Sequence, residues 1–302
     1  MTPSERLKGI EAFVMTASAG SFTAAAERLH LTSSAVGKSV ARLEARLGIR
    51  LFERTTRRLA LTEAGTAFYR TCAQVLTDLE EAETVLAVQQ NEPVGRLRVD
   101  APATFGRLRV WPPLLRFAER HPRLRPHVSF TDRFVDLLDE GIDVAVRIGG
   151  PDHWPASIGC RHLGRERLLF CASPAYLARR GAPASADDLA RHDAVLYGKA
   201  DGSVSPWLIA HADGQIERRA MTGRIIAGSG DAQVAAVKAG CGIAQLATWL
   251  VDEAITRGEL APVLPALATD GLPLHLLWPV GKQLLPKVDA VLAMLTEELR
   301  IA

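Results

Sequence analysis

Two small groups of residues near the start of the chain have the types and spacing that suit contact with a polyanion. In LTSSAVGKSVARLEARLG, residues 31–48, Ser33, Ser34, Lys38 and Arg42 lie away from Val36, Val40, Leu43 and Leu47, which recur at helical spacing and should point inward. Short hydroxyls on such a face reach base edges or phosphates, and the two cations neutralise phosphate charge. Serine is also a good helix starter and an outward lysine is also simply solvated, so both readings stand on these residues alone. Gly37 sits on the flank of the same face, where glycine costs about 1 kcal/mol relative to alanine. The second group, Arg54, Arg57 and Arg58, borders the turn in LFERTTRRLAL and suits phosphate or a narrow minor groove.

These groups need elements to hold them. Leu7, Ile10, Phe13, Val14 and Ala17 predict a first amphipathic helix. Ser21 predicts the N-cap of a short second helix, Phe22 to Leu29, whose three alanines permit close packing. His30 and Leu31 turn the chain, and Thr32 caps the third helix. Two helices joined by so tight a turn form a helix-turn-helix, whose second helix enters the major groove. LFER and RLAL read as short strands around a turn, a small wing. Thr62 then caps a long helix on which Phe68, Cys72, Val75, Leu79, Ala82 and Leu86 make a heptad-like seam. The seam either packs on its own chain or pairs with a second copy. The second reading is preferred, because the helix lies between two domains, and a dimer suits a two-fold DNA site.

Charge follows the same division. Residues 1–62 hold ten Lys and Arg against five acids, whereas the remaining chain holds 26 against 29. A basic head on a faintly acidic body points to polyanion binding by the head alone. The 302 residues allow two or more domains, and 48% hydrophobic with 23% charged residues is ordinary for a globular protein. No apolar run approaches the roughly 18 residues of a membrane span, and MTPSERLKGIEAF has no signal-peptide core. A cytoplasmic protein with no membrane partner is expected. Cys72, Cys160, Cys171 and Cys241 are scattered and read as reduced, mostly buried thiols. GxSxG, HExxH, Walker A and a strand-following GxGxxG are absent, and the eight histidines make no ligand-spaced pair. Neither an enzyme nor a metal site nor a cofactor is expected.

Beyond Asn91-Glu92-Pro93, strand-like and helical runs alternate. Strands are expected at RLRVDA, PHVSF, DVAVRIG, LLFCAS, GIAQLA and PLHLLWPV. Helices are expected at 107–120, FVDLLDEG, PAYLARR, DAQVAAVKAG and Lys287 to Leu299, with a loop-rich stretch in the middle. Such alternation predicts α/β units around mostly parallel sheets.

At this point the chain resembles the LysR-type family of bacterial transcriptional regulators. FVMTASAGSFTAAAERLHLTSSAVGKSVARLEARLGIRLFERTTRRLALTEAG is similar to that family's winged helix-turn-helix almost position by position. GRLRVDAPATFGR, FVDLLDEGIDVAVRIG, LLFCASPAYLARRG and AGCGIAQLATWL extend the likeness over the whole chain. The resemblance implies a multidomain α+β and α/β protein: a winged helix-turn-helix at 1–63, a linker and dimerisation helix at 64–91, and a two-lobed effector domain at 92–302 that is periplasmic-binding-protein-like. Lobe I would take about 92–165 and 272–302, and lobe II about 166–271, with crossings near 162–168 and 268–276. The family usually carries serine where this chain has Gly37, so base contacts at that position do not transfer directly.

Implied partners are double-stranded promoter DNA, a second copy of the chain in a dimer or dimer of dimers, and RNA polymerase. The implied ligand is a small-molecule effector, an organic anion or an aromatic compound, held between the lobes. Thr104 and Phe105, between the first strand and its helix, are candidates, because N–H groups there suit an anion. Arg147 suits a carboxylate, or equally a structural ion pair. Ser229 and Gly230 precede a second helix N-terminus, with Asp231 as an N-cap, and Ser203 and Trp207 lie in a loop that faces the cleft in relatives. Two other readings remain: an architectural DNA binder with an unliganded body, and a solute-binding or enzymatic protein whose head contacts only proteins. Replacing Arg57 and Arg58 together by alanine should weaken binding to specific and random duplexes alike. A loss confined to the specific site, in a titration of both, would show that these arginines do not act on the backbone.

Overall fold

The computed structural model describes residues 9–54, 59–87, 92–199, 201–211 and 213–300, and within these the side chains of 54, 78 and 80–87 fall outside the description. The predicted roles of Leu7, Arg54, Arg57, Arg58, Ala82 and Leu86 therefore lie outside what is described. The chain divides into two compact units, Met1–Asn91 and Glu92–Ala302.

The first unit contains α1 (Ile10–Ala19), α2 (Phe22–Arg28), α3 (Ser33–Leu47), β1 (Phe52–Arg54), β2 (Leu59–Leu61) and α4 (Glu63–Ala87). Gly20 ends α1 at φ 65°, a left-handed conformation that glycine adopts without strain. Ser21 Oγ then accepts from the N–H groups of Thr23 and Ala24, at 3.2 and 3.4 Å, and opens α2. Ala25 and Ala26 are buried, so the helices approach closely there. His30 takes φ 52° in the turn, Leu31 N–H bonds to Ala26 O, and Thr32 Oγ1 caps α3 through Ala35 N–H at 3.2 Å.

The head's core gathers on Phe13, whose ring meets those of Phe52, Phe68 and Tyr69 with centroids 5.4, 5.5 and 6.5 Å away. Val36, Val40 and Leu43 fill the same core. Leu47, predicted to point inward with them, is 41% exposed. The chain reverses at Gly48, and Leu51 and Phe52 return to the core in its place. The two wing strands pair antiparallel, Phe52 with Leu61 and Arg54 with Leu59. Glu44 Oε1 accepts from Leu51 N–H at 2.8 Å and Phe52 N–H at 3.1 Å, which ties α3 to the wing. Thr62 caps α4, accepting from Gly65 N–H at 2.9 Å and donating to Arg50 O. The seam predicted along α4 divides. Phe68 packs against the head's core and Cys72 is buried, whereas Val75 and Leu79 are 44% and 48% exposed.

The second unit is built on β3 (Gly95–Ala101), β4 (Leu124–Phe130), β5 (Val144–Ile148), β6 (Ile158–Ala172), β11 (Ala244–Ala247), β12 (Ala261–Val263) and β13 (Thr269–Pro279). They form one sheet in the order β11-β6-β13-β5-β3-β4, with β12 also beside β6. Only β3 with β4 and β3 with β5 are parallel; the other pairings are antiparallel. The expectation of mostly parallel sheets is thus corrected. The reason is the two long strands β6 and β13, which run against each other from Ile158↔Pro279 to Leu168↔Thr269.

One end of this sheet is covered by α5 (Ala103–Phe105), a wider turn at Gly106–Val110, α6 (Trp111–Arg120) and α10 (Pro286–Glu298). Leu97, Val99, Val146, Leu276, Leu114, Val291 and Leu295 lie in the core there. The other end carries α7 (Pro174–Arg180), β7 (Ala194–Tyr197), β8 (Trp207–Ala210), β9 (Ile216–Arg219), β10 (Gly223–Ala227), α8 (Gly230–Lys238) and α9 (Thr248–Thr256). The predicted loop-rich stretch therefore holds β7 to β10, which pair only two by two, β10 with β7 in parallel and β8 with β9 antiparallel. The helix predicted at FVDLLDEG is a single turn. Asp136 Oδ1 accepts from Leu138 and Asp139 N–H, a local bond that competes with helix continuation. The helix predicted at 107–120 begins earlier, at Ala103.

Gly65 is fixed by contact. A Cβ there would stand 2.0 Å from Leu51 O, the carbonyl that also accepts from Thr62 N–H. Gly65→Ala should destabilise the head by about 1–3 kcal/mol despite alanine's better helix propensity, because overpacking against backbone outweighs it. Thermal unfolding checks this; a melting temperature at or above the parent's would show that the backbone yields freely.

Candidate nucleic-acid interface and ligand cleft

On α3, Ser33, Ser34, Lys38 and Arg42 are exposed, opposite the buried Val36, Val40 and Leu43. The four lie on the helix's open side, with the two serines in the first turn, where free N–H groups and the helix dipole favour a phosphate. Gly37 is half-buried, and a Cβ added there would meet no atom within 4 Å. Packing within the head does not require glycine at this position.

In the second unit the chain brings two helix N-termini face to face. Pro102 leads from β3 into α5, where Ala103 N–H donates to Asp132 Oδ1 at 2.9 Å and Thr104 is 7% exposed. Opposite it, Ser229 Oγ accepts from Ala232 N–H and opens α8. A Cβ on Gly230 would lie at ordinary contact distance from Thr104, 3.7 Å, and would press only on the end of the Leu250 side chain, at 2.9 Å. Arg107 and Asp231 pair across the gap, both partly exposed. Asp231 therefore clasps the lobes, and the cap itself is Ser229. Tyr197 at the end of β7 has its hydroxyl pushed above the usual phenol range, by burial first and then by the nearby charge of Asp132.

Phe105 lies beneath this gap, its ring edge-on to Trp249 with centroids 4.9 Å apart. Trp249 Nε1–H donates to Glu166 Oε1 at 2.9 Å. Glu166 is buried on β6 where that strand passes from one core to the other, and burial raises its carboxyl above the ordinary range. The bonds from Trp249 and the backbone of Leu272 oppose that rise without cancelling it.

Two predicted ligand residues are committed elsewhere. Arg147 is 3% exposed and pairs with the equally buried Asp100, which also accepts from Ser129, so its guanidinium is structural. Trp207 is in the core, edge-on to Phe170 at 5.1 Å, because β8 turns it inward. Ser203 is exposed in the tight turn that follows β7, its N–H donating to Asp201 Oδ1. Thr104, Phe105, Ser229 and Gly230 are brought together; Ser203 and Trp207 do not join them. Sequence reasoning missed Arg107, Asp132, Tyr197, Glu166 and Trp249. Only Arg107 carried a signal, being one helical turn beyond Thr104.

Among the described residues no group of three or more His, Cys, Asp or Glu is placed to hold a metal ion, and no helix is long and apolar enough to cross a membrane. The four cysteines are unbridged; Cys72 and Cys171 are buried, whereas Cys160 is exposed, against the expectation of mostly buried thiols.

A small head that presents one helix beside a pair of short strands, followed by a separate α/β domain, has the architecture of a DNA-binding regulator. Comparison with known proteins agrees with that class. The family described as "Bacterial regulatory helix-turn-helix protein, lysR family" matches residues 7–66, and "LysR substrate binding domain" matches 90–300. An uncharacterized HTH-type transcriptional regulator of Haemophilus influenzae is 34% identical over 287 residues, 95% of this chain and 98% of that protein. The HTH-type transcriptional regulator CrgA of Neisseria meningitidis is 34% identical over 288 residues, 95% of each. The solved structure of CrgA aligns with a TM-score of 0.62, covering 99% of both chains. The chain belongs to the LysR family of bacterial transcriptional regulators. That family regulates transcription and is not catalytic.

Two outcomes follow. Gly37→Ser should leave the head folded and at least as stable, since the side chain enters open space, and should change the preferred DNA sequence. Selection from a random duplex library checks this; unchanged preference would remove Gly37 from the contact face. Glu166→Gln should be more stable than the parent at neutral pH, with a gap that narrows on acidification. A raised folded-state pKa means the folded chain binds more protons than the unfolded one above the ordinary carboxylate range, so the parent loses stability as pH rises there. A melting-temperature gap independent of pH would contradict the assignment.

Proposed function

We propose that this chain is a cytoplasmic, promoter-binding regulator whose hold on DNA changes when a small organic anion or aromatic compound enters the gap between its lobes. The observation that carries the reading is the pair of facing N-termini at Thr104 and Ser229-Gly230, clasped by Arg107 and Asp231. Asp132 already takes the Ala103 N–H, so an effector carboxylate competes with Asp231 for Arg107 and loosens the clasp as it binds. Switching then requires that the ligand bind one lobe arrangement better than the other; a coupling of about 1–3 kcal/mol changes DNA affinity roughly 5–150-fold.

In this reading Ser33, Ser34, Gly37, Lys38 and Arg42 meet the major groove, and Arg54, Arg57 and Arg58 meet the backbone or minor groove. The domain division is 1–63, 64–91 and 92–302, with the lobes exchanged along β6 and β13. Exposed Val75 and Leu79 on α4 support pairing with a second copy; assembly into a dimer of dimers and contact with RNA polymerase from bound promoter DNA belong to the same reading through the family resemblance.

The decisive experiment is genome-wide mapping of bound DNA, followed by titration of compounds handled by the neighbouring genes. Discrete sites whose occupancy changes with one compound support the proposal; sites insensitive to every such compound favour an architectural binder. Leu79→Lys should halve the assembly's mass by ultracentrifugation and weaken binding to a two-fold site. An unchanged mass would place the seam against its own chain.

A further inference from the structure

The stretch Ile158–Arg167 of β6 is an open strand edge. It pairs with β13 alone, since β11 and β12 join β6 only between Leu168 and Ala172. In an antiparallel ladder alternate residues turn N–H and C=O away from the partner strand, and among the described residues no third strand lies beside these. Among the described residues no turn or loop backbone bonds to residues 159–167. Beside this edge runs a groove of about 560 Å³, lined by Arg161, His162, Leu163, Thr296 and Arg300.

The groove is cationic and partly pre-set. Arg161 Nη1–H donates to Thr296 Oγ1 at 2.6 Å, and its guanidinium lies 5.7 Å from the Trp278 ring centroid. These contacts fix the guanidinium while using one of its five donors. Arg165 is exposed further along the edge and reaches only Gly271 O, at 3.5 Å. Among the described residues no carboxylate pairs with Arg161, Arg165 or Arg300. Leu163, 5% exposed, supplies an apolar floor.

We propose that this edge is a docking site for an extended acidic segment of a protein partner, which adds to the sheet as an outer strand. The backbone edge supplies hydrogen bonds, and Arg161, Arg165 and Arg300 select for acidic side chains. A small anion alone is a poorer occupant. The groove closes on the C-terminal turn of α10, whose carbonyl ends carry negative partial charge. A duplex nucleic acid meets the charge requirement but completes no strand ladder.

The test uses the full chain and hydrogen-exchange mass spectrometry with three probes: an alternating Glu/Val octapeptide, its Lys/Val counterpart, and inorganic phosphate. The acidic peptide should slow exchange across 158–167, the basic one should not, and phosphate should compete weakly without protecting the amides. Arg161→Glu with Arg300→Glu should raise the acidic peptide's Kd about tenfold or more while the melting temperature holds. Arg300→Ala, at an exposed side chain, should give a smaller loss in the same direction. Equal protection by both peptides, protection by neither, or full displacement by phosphate overturns the proposal; in the second case the arginines merely guard the edge against aggregation. Protection of 158–167 by a random duplex overturns it in favour of nucleic acid.

Discussion

The antiparallel pairing of β6 with β13 is the constraint on which the second unit depends. Both strands run from one core into the other, and they are hydrogen-bonded to each other at the crossing. The lobes thus share a sheet in place of a flexible tether. Any change in their relation must twist or shear a bonded ladder that contains the buried Glu166, to which the half-buried Trp249 of α9 is hydrogen-bonded. Phe105, edge-on to Trp249, then links that ladder to the loop at Thr104. Chemistry at the gap and geometry at the crossing are one connected set of contacts.

Much of the head was legible from residue types. Ser21 and Thr32 cap the helices they were expected to cap, since a hydroxyl before an amphipathic run has few competing uses. Three alanines in succession, Ala24 to Ala26, marked the close helix crossing, and Ala25 and Ala26 are the two that are buried there. Leu47 misled because its spacing continues the seam while the chain leaves the core at Gly48, and periodicity alone does not see where a helix runs out of partners. Phe68 and Cys72 show the same ambiguity: one seam serves two surfaces.

The second unit was less legible for a topological reason. Alternating strands and helices describe parallel and mixed sheets equally well, and what separates them is the return of β13 beside β6, some hundred residues later in the chain. Arg147 illustrates the limit for single residues. Its buried partner Asp100 is 47 positions away, so neither its ion pair nor its unavailability to a ligand could be read locally. Trp249 lay inside a stretch whose family likeness was plain, yet its value comes from Phe105 and Glu166, both distant in sequence.

Glu44 has a consequence for the head's electrostatic field. It is the one acid in the sequence of α3, against Lys38, Arg42 and Arg46. Its carboxylate oxygen is turned to the N–H groups of Leu51 and Phe52, where two backbone dipoles offset the negative charge. The same bonds that brace the wing thus reduce the helix's own repulsion of phosphate. The head's anion-attracting potential, set by its excess of Lys and Arg, is in this way sharpened by how its wing is anchored.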